Sequence, residues 1–331
     1  MKAPSRFAPR QSAATRCPQP HAAGGLRQDK GGLVPGVPAA AEVLVAYEPK
    51  HDYFVGIDSD GCAFDAMEIK HKECFIPNTI KAWSLQPVST LTRETCEFVN
   101  LYSKTRGVNR WIGLIRIFDM LRERPEVLER NAVIPSGDAV KAFIASGFPL
   151  SNNGLREYMQ QHPSDELEHA LAWTLGVDAY IEDTVKGVPP FPHVRESLQL
   201  MQGKTDLMVV SATPLDALNR EWGEHGLSAH MDVIAGQEMG TKAQHLEYAA
   251  KGKYADDHIL LIGDAPGDRD AAKSKGVLYF PINPGREAAS WKRFHDEAFD
   301  KFIDGTYAGA YEASLIHEFE QCLPELPAWQ K

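Results

Sequence analysis

No apolar run in this chain approaches the ~20 residues that a membrane-crossing helix requires, and its first residues lack the apolar core of a secretory signal. Cysteine is sparse: Cys17, Cys62, Cys74, Cys96 and Cys322 are scattered, odd in number and never spaced as CxxC. That pattern supports neither a thiolate zinc site nor a disulfide framework. A reducing cytoplasm is the expected compartment. Basic charge is scarce where nucleic acid would need it. Residues 1–41 carry Lys2, Arg6, Arg10, Arg16, Arg27 and Lys30 against Asp29, a net of +5, while the whole chain is −10, so the rest holds −15. Backbone phosphates demand clustered Lys and Arg, and a body this acidic does not offer them. Any phosphate must be met in one localised pocket.

What is present begins after residue 41. The first 41 residues hold six prolines, five glycines and no apolar periodicity, which reads as a disordered leader. Short apolar runs then recur at 53–57, 206–210, 232–235, 258–262 and 277–281, separated by helical stretches such as 214–226 and 241–251. Strand–helix alternation predicts an α/β fold with a parallel sheet flanked by helices. Between the first two strands lie about 150 residues of helical periodicity. Trp111, Leu114, Ile115, Phe118 and Leu121 form one apolar stripe there. The expectation is a core in two pieces, 42–66 and 187–331, and an inserted helical domain over 67–186 that returns through the proline-rich "KGVPPFPHV". The segments 287–302 and 308–322 read as further helices that pack on the core or on a second copy.

"YFVGIDSDG" ends its strand in Asp58 and Asp60. Two carboxylates so close repel unless a cation neutralises them. An EF-hand loop would need Gly and Glu where Ala63 and Ile69 stand, so calcium of that type is excluded. A hard cation such as Mg²⁺ needs more oxygen ligands, and "LLIGDAPGD" offers Asp264 and Asp268. A phosphate needs donors. "MVVSATP" offers the Ser211 hydroxyl beside a helix start, and "GTK" offers Lys242 as a point charge. "GQEMGTKA" superficially resembles a P-loop, but three residues stand between its glycines and Ala243 follows the lysine, so the motif fails.

In this order, at successive strand ends, the set resembles the haloacid dehalogenase superfamily of phosphohydrolases across residues 53–281. The insertion lies where its phosphoglycolate phosphatase-like and beta-phosphoglucomutase-like branch carries a helical C1 cap on a Rossmann-like core. The resemblance implies that Asp58 is the nucleophile, forming an aspartyl-phosphate, and that Asp60 is the acid–base partner. It implies stabilisation of the phosphoryl group by Ser211 and Lys242. Mg²⁺ would lie on the Asp58 carboxylate, the Asp60 main-chain carbonyl and Asp264, with Asp268 behind. A carboxylate two residues after the nucleophile favours phosphoryl hydrolysis over dehalogenation or ion pumping.

Substrate choice would fall to the insertion. Lys104, Arg106 and Arg110 precede the Trp111 helix, where a helix dipole disfavours cations, and they are read as binding a second anionic or hydroxyl-rich group. Lys70 stands near where the branch often places a substrate-touching His, with His71 next. The expected partner is a small phosphorylated metabolite, a sugar phosphate or phosphoglycolate-like ester, and the expected protein is a monomer or homodimer. Alternatives are a phosphomutase, a phosphonatase with Lys70, Lys72 or Lys104 as Schiff-base amine, and a non-catalytic phospho-ligand-binding protein.

Overall fold

The computed structural model describes residues 37–330. The expected leader lies outside the described residues except for 37–41, and there the expectation is corrected. Ala39–Ala41 form a 3₁₀ turn that runs into the helix Glu42–Val45, with Ala41 and Leu44 fully buried under the sheet. The Lys253 ammonium donates to the carbonyls of Leu44, Val45 and Tyr47, all at 2.9 Å. It thereby satisfies acceptors that the end of this short helix leaves open.

Five parallel strands form the sheet: β1 Phe54–Ile57, β2 Asp206–Val210, β3 Val233–Ala235, β4 Ile259–Gly263 and β5 Leu278–Pro281. Their order is β3-β2-β1-β4-β5, the doubly wound, Rossmann-like order. Every strand falls on an expected apolar run. Both faces are covered, so the strands are apolar throughout instead of alternating. Val55, Ile57, Leu207, Val209, Leu260 and Ile262 face one apolar cluster, and Phe54, Met208, Val210, Ile259 and Leu261 face the other.

All elements between β1 and β2 are helical. They include Ala66–Ile69, Ile76–Ala82, Ser89–Asn100, Arg110–Glu123, Asn152–Gln161 and Asp165–Thr184. A π-helical stretch, Lys70–Phe75, joins the first two. These helices gather an apolar cluster of their own, around Trp111, Phe118, Phe143 and Trp173, and the whole predicted Trp111–Leu121 stripe is buried in it. Among the described residues, no helix is long and apolar enough to cross a membrane.

After β5 the chain packs back on the sheet. Trp291, Phe294, Phe299 and Phe302 join the first cluster, and the Trp291 indole N–H donates to the Cys62 carbonyl at 2.8 Å, just past β1. The final residues then reach the helical insertion. Trp329 meets Phe98 edge-on at 5.6 Å, and the Arg124 guanidinium lies 4.2 Å from its ring centre. Trp291→Ala should lower unfolding stability by about 3–5 kcal/mol, the cost of emptying a fully buried tryptophan site. Chemical denaturation measures this, and a loss under about 1 kcal/mol would contradict the role given to Trp291.

Candidate active site

β1 is central, with β2 and β4 as its neighbours. The residues that follow these three strands therefore meet at one carboxyl edge of the sheet, where open α/β folds place ligands. Asp58 follows β1, Ser211 follows β2 and Asp264 follows β4. Lys242 opens the helix Lys242–Ala249 after β3. The four come from segments up to about 200 residues apart, and parallel register alone brings them together.

Asp58 is 5% exposed. Its Oδ1 accepts from the Ser59 amide at 2.8 Å, and its Oδ2 lies 2.7 Å from the Lys242 ammonium. Lys242 also donates to Asp268 Oδ1, and the Ala265 amide donates to Asp268 Oδ2 at 3.1 Å. Burial pushes the Asp58 carboxyl up to about 8 even though Lys242 pulls it down. Burial also raises Asp264, to about 6, against the pull of Arg106. Burial would lower Lys242, yet Asp268 and Asp58 raise it.

Asp58, Asp264 and Asp268 offer ligand oxygens within 4.8 Å of one another, all buried. Asp264 Oδ1 is buried without any hydrogen-bond partner. Three crowded carboxylates, one orphaned oxygen and the raised proton affinities of Asp58 and Asp264 fit a hard cation, which takes oxygen ligands and would ionise those two groups at neutral pH.

Asp60 lies beside this cluster. Its two oxygens accept from the Lys70 ammonium at 2.5 and 2.6 Å, and Oδ2 also accepts from the Thr213 hydroxyl at 2.8 Å. Burial raises the Asp60 carboxyl, but Lys70 outweighs it and the net shift is downward. Gly61 makes the approach possible. It has φ +78°, and a Cβ there would stand 2.6 Å from Asp264 Oδ2 and 2.7 Å from the Arg106 guanidinium. Ser211 is 2% exposed and accepts from the Thr213 amide at 3.2 Å. Ser59 donates its hydroxyl to Glu221 at 2.7 Å and accepts from the Trp222 indole at 2.9 Å.

The three cations expected to greet a substrate have separate fates. Lys104 is exposed, pairs with Glu325 at 3.3 Å and does not line the cavity. Arg106 is buried: its Nε and Nη2 reach Asp264 Oδ2 at 2.8 and 2.7 Å, and its Nη1 donates to Leu101 O at 2.9 Å. Of these two, Lys104 faces solvent and Arg106 is spent on a carboxylate. Arg110 does line the cavity, held by Thr174 and Asp178 at 2.6 and 2.7 Å.

Lys70, Thr213 and Glu221 are the polar partners that sequence reading did not assign to Asp60 and Ser59. Thr213 stands two residues past Ser211, a spacing that signals a turn capable of presenting both hydroxyls. Lys70 had no comparable signal, since its reach depends on the π-helical stretch that begins with it, an irregularity often found at functional sites.

Known proteins can now be set beside this geometry. No family model and no curated protein matches the chain. The chain is similar to solved structures of haloacid dehalogenase-like hydrolases. A haloacid dehalogenase-like family hydrolase of Streptococcus pneumoniae is 14% identical over 72% of this chain and 90% of its own, with TM-score 0.40. A candidate phosphoglycolate phosphatase of Lactobacillus delbrueckii is 14% identical over 78% and 100%, with TM-score 0.45. A candidate hydrolase of the same superfamily from Bacillus subtilis, with bound magnesium, is 12% identical over 70% and 86%, with TM-score 0.41.

Two outcomes follow from the charges. Arg106→Ala strands a buried Asp264 carboxylate and should cost about 3–5 kcal/mol; unfolding at pH 8 in EDTA measures it, and an unchanged midpoint would refute the ion pair. Carboxyls raised by folding stabilise below their ordinary pKa near 4 and lose that contribution as pH rises through the raised values. In EDTA the melting temperature should therefore fall between pH 5 and 9, and Mg²⁺ should restore most of it at the alkaline end. A flat profile in EDTA would count against the strained triad.

Proposed function

We propose that this protein is a Mg²⁺-dependent phosphatase of haloacid dehalogenase type, acting on a small phosphate monoester through an aspartyl-phosphate. The observation that carries the reading is the meeting, in the lining of one cavity, of Asp58, Asp60, Ser211, Lys242, Asp264 and Asp268. Those residues are the ones whose order along the chain resembles the superfamily's motifs. The helical insertion roofs the site and would act as its cap.

Asp58 attacks phosphorus in line. An Asp58 oxygen–phosphorus bond forms, the ester phosphorus–oxygen bond breaks, and Asp60, which must carry a proton into this step against the pull of Lys70, delivers it to the departing alcohol oxygen. Asp60 then takes a proton from water as the water oxygen bonds to phosphorus, and the Asp58–phosphorus bond breaks to release inorganic phosphate. Lys242 and Ser211 meet the charge on the phosphoryl oxygens, and Lys242 also keeps Asp58 turned into the cavity. Lys70 and Thr213 pin the Asp60 carboxylate between those steps. Asp58 and Asp264 would hold Mg²⁺, with Asp268 behind them, and the ion supplies charge neutralisation and Lewis acidity at the phosphoryl group.

Of the other readings, the phosphonatase is the weaker, because it needs a free amine. Lys70 is engaged by Asp60, Lys72 by Glu68 at 2.6 Å and Lys104 by Glu325. The proposed enzyme releases phosphate from a panel of esters (p-nitrophenyl phosphate, sugar phosphates, phosphoglycolate) with Mg²⁺ but not in EDTA, and Asp58→Asn reduces release to background. Metal-independent release, or release that survives Asp58→Asn, would remove the proposal.

A further inference from the structure

We infer that the last described residues, Pro324–Gln330, form a strap that holds the helical insertion down on the sheet edge, and that without it the insertion swings away about its two crossings. The strap needs only the insertion and the sheet, whatever reaction the site performs.

The insertion has the build of a separate body. Its helices pack round an apolar cluster of their own, distinct from the two that cover the sheet. Bodies with separate cores move relative to each other unless a large apolar interface joins them. The chain enters the insertion past Phe64 and returns past Pro190, and these two residues form an antiparallel bridge. Beside them the Phe191 amide donates to the Ala63 carbonyl at 2.9 Å. The crossings therefore run side by side, and a few such residues suffice for a hinge.

Elsewhere the insertion meets the sheet edge through the turn that joins the helices Ser89–Asn100 and Arg110–Glu123. Arg106 of that turn reaches Asp264, and a Cβ added to Gly107 would stand 3.0 Å from that of Ala265. The tail grips the same turn. The Lys104 amide donates to the Pro324 carbonyl at 3.4 Å, and the Lys104 ammonium lies 3.3 Å from the Glu325 carboxylate.

Both ends of the tail are fixed, each in a different body. Upstream, Phe319 and Leu323 are buried in the cluster on one sheet face, and Phe319 meets Tyr279 of β5 edge to face at 6.0 Å. Downstream, Trp329 is half-buried against the insertion's cluster. Its ring meets Phe98 and lies over the buried Arg124 guanidinium, and Pro327 just before it is buried too. The Lys104–Glu325 pair is exposed and holds little by itself, so the Trp329 ring carries the grip. A segment this short limits how far its two anchors can part, since each residue spans at most ~3.6 Å.

The test reads the distance across the cavity in the full-length protein. Spin labels go on two exposed helical positions, Glu157→Cys in the insertion and Lys273→Cys in the core. Cys17→Ser and Cys322→Ser remove other thiols, while Cys62, Cys74 and Cys96 are buried. Double electron–electron resonance should show Trp329→Ala adding a population longer by more than about 2 Å, the scale of a domain rearrangement. Trp329→Phe keeps a ring over Arg124 and should match the parent. A chain ending at Leu323 should open at least as far as Trp329→Ala. Distances unchanged in both Trp329→Ala and the shortened chain overturn the strap. A lower unfolding midpoint with unchanged distances also overturns it, because the tail would then add stability without restraining the insertion. None of these readings uses turnover, so the strap and the phosphatase reading fail separately.

Discussion

Four carboxylates share one edge of the sheet, and the protein must neutralise them to fold. Asp58, Asp60, Asp264 and Asp268 are each held by a cation: Lys242 bridges the first and last, Lys70 takes Asp60 and Arg106 takes Asp264. Three cations for four anions leave the cluster short of positive charge, and Glu221, pushed up to about 7 by burial and then by Asp60, adds to the deficit. A buried charge without a partner costs several kcal/mol. A dication would relieve the remaining deficit, and under the proposed function the crowding that destabilises the metal-free cluster would also serve the phosphoryl chemistry.

The same constraint reaches into the helical insertion. Lys70 and Arg106 both belong to the segment between β1 and β2, and both end on carboxylates at the sheet edge. The insertion is thus joined to the sheet by charge as well as by apolar contact. Arg106 binds Asp264 through one oxygen and leaves the other free, which orients that free oxygen toward the carboxylate cluster. Gly61 lets the chain pass beneath this pair, since any side chain there would collide with both partners.

Much of this was legible in the sequence because it is local. The apolar runs that became β1 to β5 are short and bounded by polar residues, and a strand buried on both faces needs that pattern. The motif residues sit directly after strands, so knowing that the strands are parallel and adjacent is enough to bring Asp58, Ser211 and Asp264 together. The Trp111–Leu121 stripe declared its buried face through helical spacing. The partners of the cationic residues Lys104 and Arg106 were not legible, for the complementary reason. Position before a helix says nothing about whether an acidic partner waits across space. Asp264 lies 158 residues from Arg106, and Glu325 lies 221 residues from Lys104.

The sequence by itself determined the elements, their order and the chemistry placed at the strand ends, because hydrophobic period and strand-end residues act within a few positions. Only the tertiary structure decided how each charge is spent. Coulomb partners are chosen by distance in space, and burial sets how much each pairing matters. That choice made Arg106 the brace of Asp264, and Lys70, read from sequence as standing near the substrate, the partner of Asp60.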